Sequence, residues 1–184
     1  MLKVLGICGS PRVDSNTEML LDVSLNEFDE THFKTEKILL REYVLKPCLS
    51  CGYCIENQEC CIEDDMTNII IPKLVDSHII IIASPVYFNN VSGQVKVFMD
   101  RTWSIRGRLK DKIGGGVVVG RGYGLESALT AIHAFMLKHE IVLGHRGVSG
   151  TAYEKGEMLL DKRAIEDAKE LAKRLSELCR LKNF

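Results

Sequence analysis

The 184-residue sequence has no apolar run close to the roughly 18 residues that a membrane span requires. It has no internal repeat, no low-complexity tract and no linker-like stretch at which to divide it. Nor is there a surplus of either charge: 24 Lys and Arg residues meet 25 Asp and Glu residues, for a net −1 and a pI of about 6.5. That balance excludes the basic footprint of a nucleic-acid binder. The N-terminal Met1-Leu2-Lys3-Val4-Leu5-Gly6 moves straight into strand-like sequence, with none of the blocks of a targeting segment. The expectation is a cytoplasmic protein folded as one domain over residues 1–184, with no membrane or nucleic-acid partner.

Against these absences stands a concentration of cysteine. Five of the seven cysteines fall in Cys48-Leu-Ser-Cys51-Gly-Tyr-Cys54-Ile-Glu-Asn-Gln-Glu-Cys60-Cys61. Three recur with two residues between each, and a fourth follows after five more. A cubane iron–sulfur cluster needs one thiolate per iron; a C-x2-C-x2-C turn supplies three, and a short loop can return the fourth. Structural zinc also takes four thiolates, but usually from two C-x2-C knuckles set further apart. Unligated thiols on a surface loop are the third reading, whereas disulfides do not suit a reducing cytosol. The spacing favours the cluster.

Along the chain, Leu2 to Ile7 reads as a buried strand running into Cys8-Gly9-Ser10-Pro11. Ser15 with Glu18 three residues later fits a capping box, so a helix is predicted to start near Asn16. A strand, a small-residue loop and a helix N-terminus together make an anion site, because free amides and the positive end of the helix dipole converge there. Ser10, Ser15, Asn16 and Thr17 add polar donors and Arg12 adds a charge; an ordinary βα turn is the alternative. A second strand is predicted over Thr35–Leu40, with the cysteine loop (44–63) leaving its far end. Asp64-Asp65-Met66 is predicted to open a helix through Val75, its carboxylates capping it rather than forming a metal or acid–base pair. The β-branched run within His78–Ala83 suits a strand buried on both faces; it breaks at Ser84-Pro85-Val86-Tyr87-Phe88-Asn89-Asn90. Further predictions are a helix from Ser92 through Trp103, a strand over Ile113–Val119, a helix over Glu126–His139 and a fifth strand over Glu140–Val148. The last helix carries Ala164, Ala168, Leu171, Leu175 and Leu178 as an apolar stripe.

Five strands alternating with helices predict an α/β fold with a doubly wound parallel sheet. Ligands in such sheets sit at the carboxyl ends of the strands. The loops at 8–17, 41–63, 84–91 and 120–124 all follow strands and should share one rim. Gly120-Arg121-Gly122-Tyr123-Gly124 does not complete G-x-G-x-x-G, because position 125 is Leu. The first loop suits a single phosphate, and Tyr87 and Phe88 can lie against a flat ring. Those parts fit FMN.

Gly9-Ser10-Pro11-Arg12 through Ser15-Asn16-Thr17, with Ser84-Pro85-Val86-Tyr87-Phe88 and Gly93-Gln94-Val95-Lys96-Val97-Phe98-Met99-Asp100-Arg101, resembles the flavodoxin-like NADPH-dependent FMN reductases. Cys48, Cys51, Cys54 and Cys60 followed by Asp64-Asp65-Met66 resemble that family's iron–sulfur flavoprotein branch. The resemblance implies a flavodoxin-like five-stranded sheet of order 2-1-3-4-5, FMN on the rim, and a 4Fe-4S cluster on Cys48, Cys51, Cys54 and Cys60. It also implies a homodimer or homotetramer in which one subunit's cluster approaches another's flavin. The cluster loop and the ring loop follow strands on opposite sides of strand one, so a neighbour is expected to bring them together. The expected FMN contacts are Ser10, Arg12, Ser15, Asn16, Thr17, Pro85, Val86, Tyr87, Phe88, Asn89, Gly120, Gly122 and Tyr123. Cys60 gives the shorter return from Cys54 and stands in the family pattern Cys-x-Ile-x-Asp-Asp-Met, which makes Cys61 a spectator facing the other way.

The function expected is a flavin-dependent oxidoreductase passing electrons between NAD(P)H, or a reduced small-molecule or protein carrier, and a small acceptor such as oxygen, peroxide or a quinone. The alternatives are an NAD(P)H-dependent FMN or quinone reductase without a cluster, and a non-enzymatic flavodoxin-type carrier or redox sensor. Cys8 and Cys179 are expected to be small buried residues. His32, His133, His139 and His145 show no ligand spacing. Arg101, Arg106, Arg108, Lys110 and Lys112 read as a solvated or subunit-contact face, with contact to nicotinamide-cofactor phosphates as the alternative.

Overall fold

Strand β1 (Leu2–Cys8) anchors the sheet, and its period-two alternation feeds both faces. Leu5 and Ile7 enter one apolar cluster, Val4 and Cys8 the other. The computed structural model describes residues 1–182. β1 pairs in parallel with β2 (Phe33–Leu39) on one side and with β3 (Ile79–Tyr87) on the other. β3 turns back through the short antiparallel β4 (Asn90–Val91) and pairs in parallel with β5 (Ile113–Gly120). Two further pieces, β6 (Val142–Leu143) and β7 (Val148–Thr151), both pair in parallel with β5. The sheet therefore has the 2-1-3-4-5 order in its parallel strands, within seven strands in all. The expected fifth strand over Glu140–Val148 is interrupted because Gly147 sits at φ 88°, outside the extended region. The chain resumes its pairing later, and β7 runs on to Thr151.

Helices α1 (Asn16–Asn26) and α6 (Lys162–Leu181) cover one face, through Leu20, Leu21, Leu25, Leu171 and Leu175. The other face is covered by α3 (Ile71–Asp76), α4 (Gly93–Arg101) and α5 (Leu125–Lys138), through Leu74, Val95, Phe98 and Ile132. A short helix, α2 (Tyr53–Asn57), lies within the cysteine loop. Ile79 and Ile81 face the first group and Ile80 and Ile82 the second, all with no exposed surface. That burial explains the unbroken apolar run, as parallel strands covered on both sides require.

The N-caps place the rim. Ser15 Oγ accepts from Glu18 N at 3.1 Å, and Ser92 Oγ accepts from Val95 N at 3.3 Å. Ser92 Oγ also donates to Gly9 O at 2.7 Å, tying α4 to the end of β1. A Cβ at Gly9 would lie 2.0 Å from Val95 Cγ2, so only glycine permits this approach.

The helix expected after the cysteine loop is present but opens with a π-helical turn, Met66–Ile70, before α3; Asp64 caps that turn, its Oδ1 accepting from Thr67 N at 3.2 Å, while Asp65 serves the loop. Asp65 Oδ2 accepts from Val44 N at 2.7 Å. Asp64 takes the Arg101 guanidinium in a bidentate pair, Nη1 to Oδ2 at 2.6 Å and Nη2 to Oδ1 at 3.0 Å, and both side chains are essentially unexposed. Arg101 is thus an internal residue, not part of a solvated face. Arg106, half-buried, is turned onto the cysteine loop, donating to Cys54 O and Ile55 O, both at 2.9 Å. Lys112 donates to Val75 O at 2.8 Å and to Ser77 O.

Burial alone would raise the Asp64 carboxyl, but Arg101 and the N–H groups of Lys46 and Thr67 outweigh it and hold the group below its ordinary value. Because the folded value is depressed, its contribution is complete above the ordinary carboxylate range and is lost as pH falls through the folded value. Asp64→Asn leaves a buried guanidinium unpaired and should cost about 3–5 kcal/mol in urea unfolding at neutral pH. The loss of stability below about pH 4 should be shallower in the variant than in the parent. A cost under about 1 kcal/mol, the scale of an exposed pair, would contradict this reading.

Candidate functional site

At the carboxyl ends of β1, β3, β5 and β7 lies a groove of about 370 Å³. The loop between β1 and α1 forms one wall with Ser10, Arg12, Ser15, Asn16 and Thr17. Pro85, Val86 and Tyr87 form another, and Gly120 and Tyr123 a third. The first-turn amides of α1 lack intrahelical partners by position, and the helix dipole adds positive potential at the same spot. Arg41 holds this loop in place: its Nη1 donates to Arg12 O at 3.1 Å and to Glu18 Oε2 at 2.8 Å.

Not every expected contact reaches the groove. Phe88 and Asn89 turn away at the tip of the β3–β4 hairpin, with φ 48° and 59°, and Phe88 is fully exposed. Two positive φ values at the central residues make a tight turn whose twist suits the flanking strands. Gly122 is not among the lining residues, and Gly124 (φ 71°) caps α5 instead. The Asn16 amide is committed elsewhere, donating to Glu154 O at 2.7 Å and accepting from Gly156 N at 2.8 Å. That leaves its backbone N–H as the donor placed at the helix start for an anion.

Sequence reading missed the segment that Asn16 holds. Ala152, Tyr153 and Lys155 close the groove after β7. Tyr153 OH donates to Arg121 O at 3.1 Å, and the Arg121 guanidinium lies 5.9 Å from the Tyr153 ring centre. Lys155 Nζ pairs with Asp14 Oδ2 at 3.1 Å. Ending the fifth strand at Val148 hid the rule that loops after parallel strands build the site; a strand carried to Thr151 would have found them.

The cysteine loop is placed differently from expectation. It does not stay on the β2 side of β1 but lies against α4 and α5. Cys48, Cys51, Cys54, Cys60 and Cys61 all line one cavity of about 660 Å³, completed by Met99, Trp103, Phe135 and His139. Asn90 is in this wall too, and Asn90 pairs with Tyr87, which lines the other groove. One hairpin therefore stands between the two sites within a single chain.

Within the loop, Cys51 Sγ and Cys61 Sγ lie 3.5 Å apart. The Tyr53 N–H, and then Cys61, hold the Cys51 thiol below its ordinary value, while Cys51 pushes Cys61 up. Trp103 is half-exposed between two cations, Arg106 at 5.7 Å and Lys138 at 5.6 Å from its ring centre. The donor set, thiols alone from one short loop, fits a four-iron cluster. Among the described residues no three potential ligands converge into a metal-binding group, so the loop must draw its thiols together to hold one. Cys8 and Cys179 are buried, and burial pushes both thiols up to about 11. The groove in turn fits FMN: an anion-binding helix start at one end and, around the opening, partly exposed Tyr87, Tyr123 and Tyr153 to cover a flat ring.

The NADPH-dependent FMN reductase family matches residues 2–153. An iron–sulfur flavoprotein from Methanocaldococcus jannaschii is 37% identical over 191 residues, covering 98% of each chain. Another, from Methanosarcina thermophila, is 33% identical and covers 98% of this chain and 96% of that one. The solved structure of RosB with bound 8-demethyl-8-formylriboflavin-5'-phosphate matches with a TM-score of 0.81, over 98% of this chain and 80% of that one. At 14% identity that likeness is one of fold. The family match, joined by relatives 37% and 33% identical over nearly the whole chain, makes this chain a member of the NADPH-dependent FMN reductase family in its iron–sulfur flavoprotein branch, and a flavin-dependent oxidoreductase.

Proposed function

We propose that the chain holds FMN in the groove and a 4Fe-4S cluster on Cys48, Cys51, Cys54 and Cys60. In this reading it passes electrons in the cytoplasm between NAD(P)H or a reduced carrier and a small acceptor. The observation that carries it is the shared wall: the β3–β4 hairpin presents Tyr87 to the groove and Asn90 to the thiol-lined cavity. FMN couples two-electron to one-electron chemistry, and a cluster passes single electrons.

The protein's part is binding and shelter. The amides of Asn16 and Thr17, with the Arg12 guanidinium, meet the phosphate. Pro85, Val86 and Tyr87 support the ring, and Tyr123 and Tyr153 limit water at its edge. Asn16, by holding residues 154–158, keeps Tyr153 over the groove. Arg106 fixes the backbone of Cys54 and Ile55, so one ligand is held from α4's side of the loop.

A second reading of the ligand set gives the fourth place to Cys61, because its sulfur already approaches Cys51. Spacing and the position of Cys60 two residues before Ile62 favour Cys60.

Arg12→Ala should weaken FMN binding by about 1–3 kcal/mol, the scale of a hydrogen bond to a charged group. Fluorescence titration of the apoprotein measures it, and an unchanged affinity would remove Arg12 from the phosphate site. Cys60→Ser should lose iron and sulfide while Cys61→Ser retains both, as read by chemical analysis after anaerobic reconstitution. The reverse pattern would move the fourth ligand to Cys61.

A further inference from the structure

Arg101 does more than close an ion pair. Its Nη1 donates to Asp64 Oδ2 and to Lys46 O at 2.7 Å; its Nη2 donates to Asp64 Oδ1, Thr67 Oγ1 at 2.9 Å and Ile62 O at 3.2 Å. Those partners belong to the two stems of the cysteine loop. The remaining donor, Nε, is buried and, among the described residues, meets no partner in hydrogen-bond geometry. An orphaned N–H in a side chain with no exposed surface is costly and is seldom kept without a use. The same guanidinium lies beside the Cys60 thiol, whose charge would favour its own. Cys61, one residue on, faces Cys51 instead.

We propose that Arg101 is a positioning residue for the cluster: its spare N–H holds the Cys60 sulfur inward as the fourth ligand and donates to that sulfur once it is bound to iron. This rests on the cluster reading above. Donors to cluster sulfurs stabilise the added negative charge of the reduced state and so raise its potential. A lysine at 101 would keep the charge but not the rigid fork of donors that spans both stems and still leaves Nε free.

The test uses the reconstituted full chain with its cluster reduced. In protein made with 15N-arginine, in an Arg106→Lys background that removes the other arginine bonded to the loop, electron spin-echo modulation should change from the 14N to the 15N pattern. Arg101→Lys should retain FMN and most of its iron and sulfide, abolish that modulation and shift the cluster's potential to a more negative value. If Arg101→Lys fails to fold, the labelled Arg106→Lys chain decides the matter by itself. A cluster whose modulation is indifferent to 15N-arginine, or an Arg101→Lys potential equal to the parent's, would overturn the role of Arg101 and leave the cluster reading intact. A parent chain that takes up FMN but no iron and sulfide would overturn both.

Discussion

The bidentate contact between Arg101 and Asp64 is the constraint on which the placement of the cysteine loop depends. It joins the last residue of α4 to the far stem of the loop, and the Lys46 and Ile62 carbonyls bring in both strands of its base. A long irregular excursion between β2 and α3 has few apolar contacts of its own. Without a clamp it would be free to sample many conformations, and the entropy of closing it would fall on cluster assembly. Burying a charge pair is a poor way to gain net stability, since desolvation offsets most of the attraction. It is a good way to fix geometry, because a buried guanidinium tolerates only one arrangement of partners. Here it gives the loop a fixed base and leaves its thiol-bearing tip exposed.

The flavodoxin-like sheet supplies the other half of the arrangement. Parallel strands deliver their following loops to one edge, and the split fifth strand adds a loop that a continuous one ending at Val148 would not. The groove gains Tyr153 and Lys155 from it, held by Asn16 and Asp14 of the opposite wall. Anion site, aromatic rim and thiol cavity are thereby gathered around a single hairpin. The strained turn at Phe88 and Asn89 shapes that partition, and its exposed phenyl ring is not part of the groove.

Much of this was legible in the sequence because it rests on local rules. The capping residues Ser15 and Ser92, the four isoleucines of β3 and the stripe on α6 each report periodicity or hydrogen bonding within a few residues. The groove residues from Ser10 to Thr17 and from Pro85 to Tyr87 followed from the rule for loops after parallel strands. What escaped depends on long-range contact. No local feature distinguishes Arg101, buried on Asp64 37 positions away, from an exposed helix-end arginine. Asn16 looked like a phosphate donor because its partners lie more than 130 positions downstream, the nearer to it being Glu154 at 138. The path of the cysteine loop over α4 and α5, rather than along the β2 edge, is likewise written in distant contacts with Arg101 and Arg106.

The central claim is that one rim holds a flavin phosphate and a thiol-ligated cluster together. The most direct measurement is anaerobic purification followed by the absorbance spectrum and the FMN, iron and acid-labile sulfide content of the same sample. The expected result is a flavin spectrum with a broad overlying absorption bleached by reductant, and iron and sulfide each at about four per FMN. FMN at full occupancy with neither iron nor sulfide, in protein kept from oxygen throughout, would contradict it.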